Sequence, residues 1–169
     1  MFDGAVASHQ GMAAGYYLRA LTKEYKSGLK VAINDYDKAI SYDKSISDAY
    51  LKRAIYRYET NSRKQALEDF ANVARLEPEN AIGYRYKGII LAENNDWINA
   101  VVNFNKSLSL DSTDFDIYFN RGYCNIQTGD ITSAKKDFRK ILSRNKDDME
   151  TRFLLANLEL QSGDTIRSL

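Results

Sequence analysis

Apolar and small residues fall at three- and four-residue steps through most of the chain, interrupted at regular intervals by short polar stretches. Between residues 81 and 114, Tyr84, Lys87, Gly88 and Leu91 share one helical face. Asn94-Asn95-Asp96 breaks the pattern, and Trp97, Ala100, Val101, Phe104 and Leu108 then make a second stripe. Such steps are those of an amphipathic helix, so the segment predicts two helices joined by a tight turn. The breaks recur as Ser27-Gly28, Asn61-Ser62, Asn95-Asp96, Gly129-Asp130 and Gly163-Asp164. Gly or Asn can take the left-handed conformation that ends a first helix. Ser62, Asp96, Asp130 and Asp164 can accept bonds from the amides that open the second, and Asn80, Asp114 and Asp148 stand likewise before the next unit. Pro78, the single proline, lies in one of these inter-unit turns, where it harms no helix.

The two-helix pattern repeats every 34 residues. One aromatic column reads Tyr16, Tyr50, Tyr84, Tyr118; another reads Tyr36, Phe70, Phe104, Phe138. Small residues keep the same register as Ala20, Ala54, Gly88, Gly122, Ala156 and as Ala32, Ala66, Ala100, Ala134, Ser168. A basic column reads Arg19, Arg53, Lys87, Arg121 and breaks at Leu155. Helices that approach to roughly 8–10 Å need small side chains where their backbones come closest. Ala or Gly of one helix is therefore expected to face a large ring of the other. The register is uninterrupted from Ala13 to Asp148 and divides the chain into units 13–46, 47–80, 81–114 and 115–148, with a partial fifth at 149–169. Residues 1–12 read either as an unstructured leader or as the remnant of a preceding repeat's second helix, since Phe2, Ala5 and Val6 stand one period before Tyr36, Ala39 and Ile40.

On these residues the chain resembles the tetratricopeptide repeat (TPR) family. The match is carried by Tyr84, Gly88, Ala100, Phe104 and the Leu110-Asp111 turn of the third unit, by Ala66, Phe70 and Leu76-Glu77-Pro78 of the second, and by their equivalents. It covers about residues 13–169. The chain departs from the family where an aromatic is common late in the first helix; Lys23, Arg57, Leu91, Asn125 and Glu159 stand there instead. The resemblance implies an all-α fold, a right-handed superhelical solenoid of antiparallel helix pairs. It also implies that the first helices line a concave face where a partner's peptide or helix lies. The residues expected to project there are Tyr17, Leu21, Leu51, Ile55 and Tyr58, then Arg85, Tyr86 and Ile89, then Phe119, Asn120 and Tyr123, and finally Phe153 and Asn157. About half of that stripe is expected to be inter-unit core. Tyr17, Arg85, Phe119 and Tyr123 are favoured as contact residues, because aromatics and Arg commonly carry contact energy. Some family members grip a chaperone's C-terminal carboxylate with Lys, Arg and Asn. Here the corresponding places hold Tyr17, Leu21, Leu51, Ile55 and Glu150, and only Arg85 and Asn120 fit, so that clamp is not expected.

Charge and composition narrow the function further. Charged residues are 28% of the chain, mixed in sign, with a net charge of +1. No apolar run reaches the ~20 residues needed to span a bilayer, so membrane insertion is not expected. Residues 1–12 do not read as a secretory signal, and a soluble, cytoplasmic location is the default. With one histidine, His9, and one cysteine, Cys124, zinc sites of the Cys/His type and Cys–His nucleophile pairs are excluded. Cys124 reads as buried small filler. No phosphate-cradling glycine motif occurs, and the chain is read as non-catalytic, with no cofactor and no metal. The fourth unit's second helix is basic at Lys135, Lys136, Arg139, Lys140 and Arg144. This reads as a solvated face, with a patch for phosphate or an acidic partner as the other reading. A nearly neutral chain supplies no continuous basic track, so nucleic acid is not expected. The expected partner is a protein or peptide, held in the apolar groove. The alternative is a structural scaffold or self-assembly segment of a larger protein, whose ends associate through Phe153, Leu154, Leu155 and Leu158.

Overall fold

A computed structural model describes residues 2–161, with side chains placed from Ser8 onward. Among the described residues there are nine α-helices and no strand: α1 (Phe2–Ser27), α2 (Leu29–Tyr42), α3 (Ser47–Glu59), α4 (Arg63–Leu76), α5 (Ala81–Glu93), α6 (Trp97–Leu110), α7 (Phe115–Gln127), α8 (Ile131–Arg144) and α9 (Met149–Gln161). The fold is an all-α helical repeat, one helix pair per 34-residue unit. α1 is longer than the other first helices and passes through residue 12 without a break. Gly163-Asp164 and Ser168 lie outside the described residues.

The turns follow from a few side chains. Asn61 and Asn95 both have φ 61°, and Gly28 and Gly129 have φ 84° and 82°. These are left-handed values that glycine and asparagine adopt most readily. Asp96 and Asp130 cap the next helix, accepting bonds from the amides of Asn99 (3.4 Å) and Ser133 (3.0 Å). Asn80 Oδ1 accepts from the amides of Ile82 and Gly83, and Asp148 Oδ1 from that of Thr151. Two expected caps are not formed. Ser62 makes no side-chain cap bond. Asp114 makes none either, because its Oδ2 accepts instead from Arg85 Nη1 at 2.7 Å.

The chain divides into two compact units, Met1–Gly83 and Tyr84–Leu169. In the first, α1 packs on α2, α2 on α3 and α3 on α4. Its core joins Ala20, Ala32, Tyr36, Ile40, Ala49, Tyr50 and Val73. Tyr36 is completely buried yet carries a hydroxyl, and a buried hydroxyl requires a partner. It donates to Glu24 Oε2, and Glu24 also accepts from Lys52 Nζ at 2.8 Å. Burial alone would raise the Glu24 carboxyl, but these two hydrogen bonds outweigh it and hold the group below its ordinary value. In the second unit, Ala100, Phe104, Leu108, Ile117 and Cys124 form one cluster, and Ala134, Phe138, Ile141 and Leu158 another. A Cβ added at Gly88 would stand 2.6 Å from the Phe104 ring, and one at Gly122 2.8 Å from the Phe138 ring. The small column is therefore set by the rings it faces.

The basic column finds buried acids sixteen residues on. Arg19 Nε and Nη2 donate to Asp35 (2.9 and 2.6 Å), Arg53 to Asp69 (2.8 and 2.7 Å) and Arg121 to Asp137 (2.9 and 2.5 Å). The three carboxylates are each 2% exposed. Each guanidinium also lies over the tyrosine three residues before it, Tyr16, Tyr50 or Tyr118, at 5.0–5.5 Å. Two of the five places where the family aromatic is missing now have a reason. Lys23 and Arg57 supply a second cation to Asp35 (2.9 Å) and Asp69 (2.8 Å). Asn103 replaces the acid in the third unit.

Asp35 makes this arrangement pH-sensitive. The hydrogen bonds from Arg19 lower its pKa to about 2, against a raising effect of burial and with help from Lys23. A carboxyl whose folded pKa lies below its unfolded value stabilises the fold fully above that unfolded value. The contribution is lost as pH falls from 3.8 to about 2. The urea midpoint of the wild-type chain is therefore expected to drop through that window more steeply than that of Asp35→Asn, which has no proton to gain.

Candidate functional site

The first helices α1 and α3 carry the candidate residues of the first unit. Tyr17, Leu21 and Leu51 are half-buried and pack against the Tyr36 core. Tyr17 lies 6.2 Å from the Tyr36 ring, and its hydroxyl donates to Asp48 Oδ2 at 2.9 Å. Burial, then the Asp48 hydrogen bond, pushes its pKa up to about 12, so it remains a donor at any ordinary pH. Ile55 and Tyr58 are also half-buried. The Arg63 guanidinium covers the Tyr58 ring at 3.9 Å. Tyr25, one turn beyond Leu21, is 93% exposed.

In the second unit, α5 presents Arg85, Tyr86 and Ile89. Arg85 is engaged by its own chain: Nη1 donates to Asp114 at 2.7 Å and Nη2 to Asp116 at 3.4 Å. Its Nε is buried without a hydrogen-bond partner. Its guanidinium carbon lies 5.9 Å from the centre of the half-buried Tyr86 ring. Ile89 packs against the Phe104 cluster. On α7, Phe119 packs at 6.0 Å on Phe138, Asn120 Nδ2 donates to the backbone carbonyl of Asp116 at 2.9 Å, and Tyr123 is 45% exposed with its ring edge-on to Trp97. On α9, Phe153 is 67% exposed and Asn157 is half-buried. The stripe thus divides by depth. Tyr17, Leu21, Leu51, Ile89 and Phe119 touch the cores, whereas Tyr123 and Phe153 open to solvent.

One cavity lies beside this stripe. It has a volume of about 390 Å³ and is bounded by Phe115 and Phe119 of α7, Ile141 and Arg144 of α8, and Asp116, Asn145 and Asp148. Arg144 lies over the Phe115 ring at 4.6 Å. Its lining is about half apolar and half polar, a surface that can seat one amphipathic side chain. The register explains the opening. Arg85 of α5 stands at the place of Phe119 and reaches Asp114, while Phe119 cannot reach Asp148 in that way.

The four residues expected to join chain ends do not share one environment. Leu158 is 5% exposed, and Leu154 and Leu155 pack against the Phe138 cluster of α8, because α9 rests on α8. Phe153 alone of the four is exposed, together with Met149 and Leu160. Cys124 is completely buried, and burial pushes its thiol up to about 11, so little nucleophilic thiolate forms. Among the described residues no group of three or more His, Cys, Asp or Glu side chains could hold a metal ion, and no helix is long and apolar enough to cross a membrane.

Sequence reasoning missed the acid column Asp35, Asp69, Asp137, and with it the role of Lys23 and Arg57. The signal was available, since the acids recur at the same 34-residue spacing as the rings.

Solved structures of low identity share the architecture. YrrB, described as a TPR protein with an unusual peptide-binding site, is 19% identical with a TM-score of 0.81, covering 98% of this chain and 85% of its own. MamA from Desulfovibrio magneticus RS-1 is 13% identical with a TM-score of 0.75, covering 90% and 86%. The first TPR domain of Spaghetti (RPAP3), solved with the HSP90 peptide SRMEEVD, is 14% identical with a TM-score of 0.63, covering 69% and 93%. No curated protein matches the chain in sequence. The family model of the ETO1 C-terminal domain matches residues 5–161, nearly the whole helical array, and the chain therefore belongs to the ETO1 C-terminal domain family and is a TPR protein.

Proposed function

We propose that this chain is a protein-interaction module that holds a partner's peptide or helix along its first helices and performs no catalysis of its own. The observation that carries this reading is the cavity in which Phe115, Phe119 and Ile141 meet the polar Asp116, Arg144, Asn145 and Asp148, with the exposed ring of Tyr123 on the same helix as Phe119. A peptide needs a socket for an anchor side chain and exposed aromatic surface to cover, and α7 contributes to both. Helical repeats of this type commonly work as binding surfaces. YrrB and the Spaghetti domain are described with peptides, and the same mode is proposed here.

The carboxylate-clamp version is disfavoured. Arg85, the best-placed cation for it, is already held by Asp114 and Asp116. Peptides selected from a random library against the immobilised chain are expected to bind Phe119→Ala/Tyr123→Ala about tenfold more weakly, the loss of one hot-spot contact. Helical content by circular dichroism should be unchanged. Phe119 also packs on Phe138, so Tyr123→Ala alone, at a more exposed ring, serves as the variant with the smaller folding cost. Unaltered affinity in both would place the site elsewhere.

A further inference from the structure

The cations of α8 are distributed unlike those of any other element. Between Ile131 and Arg144 stand Lys135, Lys136, Arg139, Lys140 and Arg144 against a single acid, Asp137. That is five minus one, +4, in a chain whose total is +1, so the rest of the molecule carries −3. The internal repeat shows what packing alone requires at these places. In the 34-residue register Lys136 corresponds to Asn34, Glu68 and Val102, and Arg139 to Asp37, Ala71 and Asn105. The fold therefore accepts neutral or acidic residues there, and the basic character belongs to this unit. Arg139 donates to Glu159 at 2.6 Å. Lys136 and Lys140, one helical turn apart and exposed, take part in no ion pair among the described residues.

These two lysines border an open cleft between α6 and α8, floored by α7. A cavity of about 530 Å³ is bounded by Tyr118, Arg121, Lys136, Arg139 and Lys140. A second, of about 230 Å³, lies alongside and shares Arg121, Lys136 and Asp137 with it. Its floor is Asn125, and its rim includes Asn105, Ser133 and Asp130. Asn125 differs from its counterparts in the first two units. It is 4% exposed, and its side-chain amide has no hydrogen-bond partner among the described residues, although its backbone carbonyl accepts from Thr128 and Asp130. This amide opens onto a cavity large enough for a ligand group, so its donor and acceptor are available there. In the first two units the same place holds Lys23 and Arg57, which reach across to the buried acid and fill that space. Asn125 is too short to do so.

We infer that this cleft is a second binding site, distinct from the first-helix groove, and that it takes an acidic peptide segment of a partner protein. The partner's carboxylates lie at the Lys136/Lys140 end, where positive charge is concentrated. Its backbone runs into the adjoining cavity, where the Asn125 amide can both donate and accept. The exposed Asp130 at that end disfavours a second acidic group and suits a peptide N–H. A strongly basic cavity continuous with one whose cations and acids balance fits an extended segment better than a free anion.

The test is fluorescence anisotropy of the full chain with a fluorescein-labelled oligoglutamate peptide, an oligolysine counterpart and inorganic phosphate as competitor. Oligoglutamate is expected to bind saturably and oligolysine not. Lys136→Glu/Lys140→Glu, both on exposed side chains, should weaken binding about tenfold or more, and added salt should weaken it too. Asn125→Leu should weaken it several-fold without changing any charge. The repeat tolerates leucine at this place, since Leu91 occupies it in the third unit. Phe119→Ala/Tyr123→Ala should leave this binding intact, which separates the two sites. Displacement by inorganic phosphate would overturn the peptide assignment in favour of a small anion. Absence of saturable binding, or binding indifferent to Asn125→Leu, would overturn the site itself, leaving only general attraction to a basic helix.

Discussion

Asp69→Ala is expected to destabilise the first unit by about 3 kcal/mol, the low end of what breaking a buried ion pair costs. Asp69 is 2% exposed and receives Arg53 Nε and Nη2 together with Arg57 Nη1. Truncation leaves both guanidiniums facing an empty carboxylate site, and the Arg53 side chain is only 14% exposed. Two features hold the penalty down. Arg53 keeps Asp37 through Nη1 at 2.8 Å, and the Arg57 side chain is 27% exposed and can turn toward water. The sharper expectation concerns the double change. Replacing a buried pair by apolar residues of similar size is often neutral, so Asp69→Leu/Arg53→Met should recover most of the loss. Urea unfolding of the two variants beside the wild-type chain checks this. A double variant no more stable than Asp69→Ala would mean that the carboxylate does more than neutralise its partners.

Phe104→Ala is expected to cost about 4 kcal/mol, the usual range for emptying a fully buried aromatic site. Phe104 is completely buried, and its ring faces Gly88 across the α5–α6 pair. The reciprocal change, Gly88→Ala, sets a methyl group 2.6 Å from that ring and should cost about 1–2 kcal/mol. The penalty is bounded because Ala20 and Ala54 occupy the same register position in the first two units. The two changes are neighbours and should not add. In Gly88→Ala/Phe104→Ala the new methyl enters space the ring has left, and the double variant should be no less stable than Phe104→Ala alone. Strict additivity would show that the glycine serves backbone conformation rather than the ring.

The packing half of the molecule was legible because stacking imposes the same size at the same place in every unit. Tyr36, Phe70, Phe104 and Phe138 are all completely buried, as are Ala32, Ala66, Ala100 and Ala134. The breaks were legible for a similar reason, since Asn61, Asn95, Gly28 and Gly129 stand where φ is positive. The polar half was read less well. The basic column was seen, but the acids that pair with it were not, because Asn103 interrupts their column. Lys23 and Arg57 looked like lost aromatics and turn out to be second ligands of a buried acid.

The candidate site shows the limit of periodicity more plainly. Leu21, Leu51, Tyr123 and Phe153 stand in one stripe of which about half was expected to be core, and only the structure tells them apart: the first two touch a core and the last two are open to solvent. Arg85 read as a contact residue, while Asp114 and Asp116 hold it. A column reports what its positions have in common. Whether a particular side chain in it is covered depends on the individual neighbours that meet it from other helices.

By itself, then, the order of residues determined the two-helix unit, its length, its turns and the rings and small residues that nest within it. These follow from local backbone preference and from a packing constraint repeated identically. Tertiary structure decided which charges are neutralised, which apolar residues remain exposed, and where cavities open, as they do beside Phe119 and Asn125. Each of those outcomes depends on a single side chain being longer or shorter than its counterpart one unit away, meeting a partner that no spacing along the chain identifies.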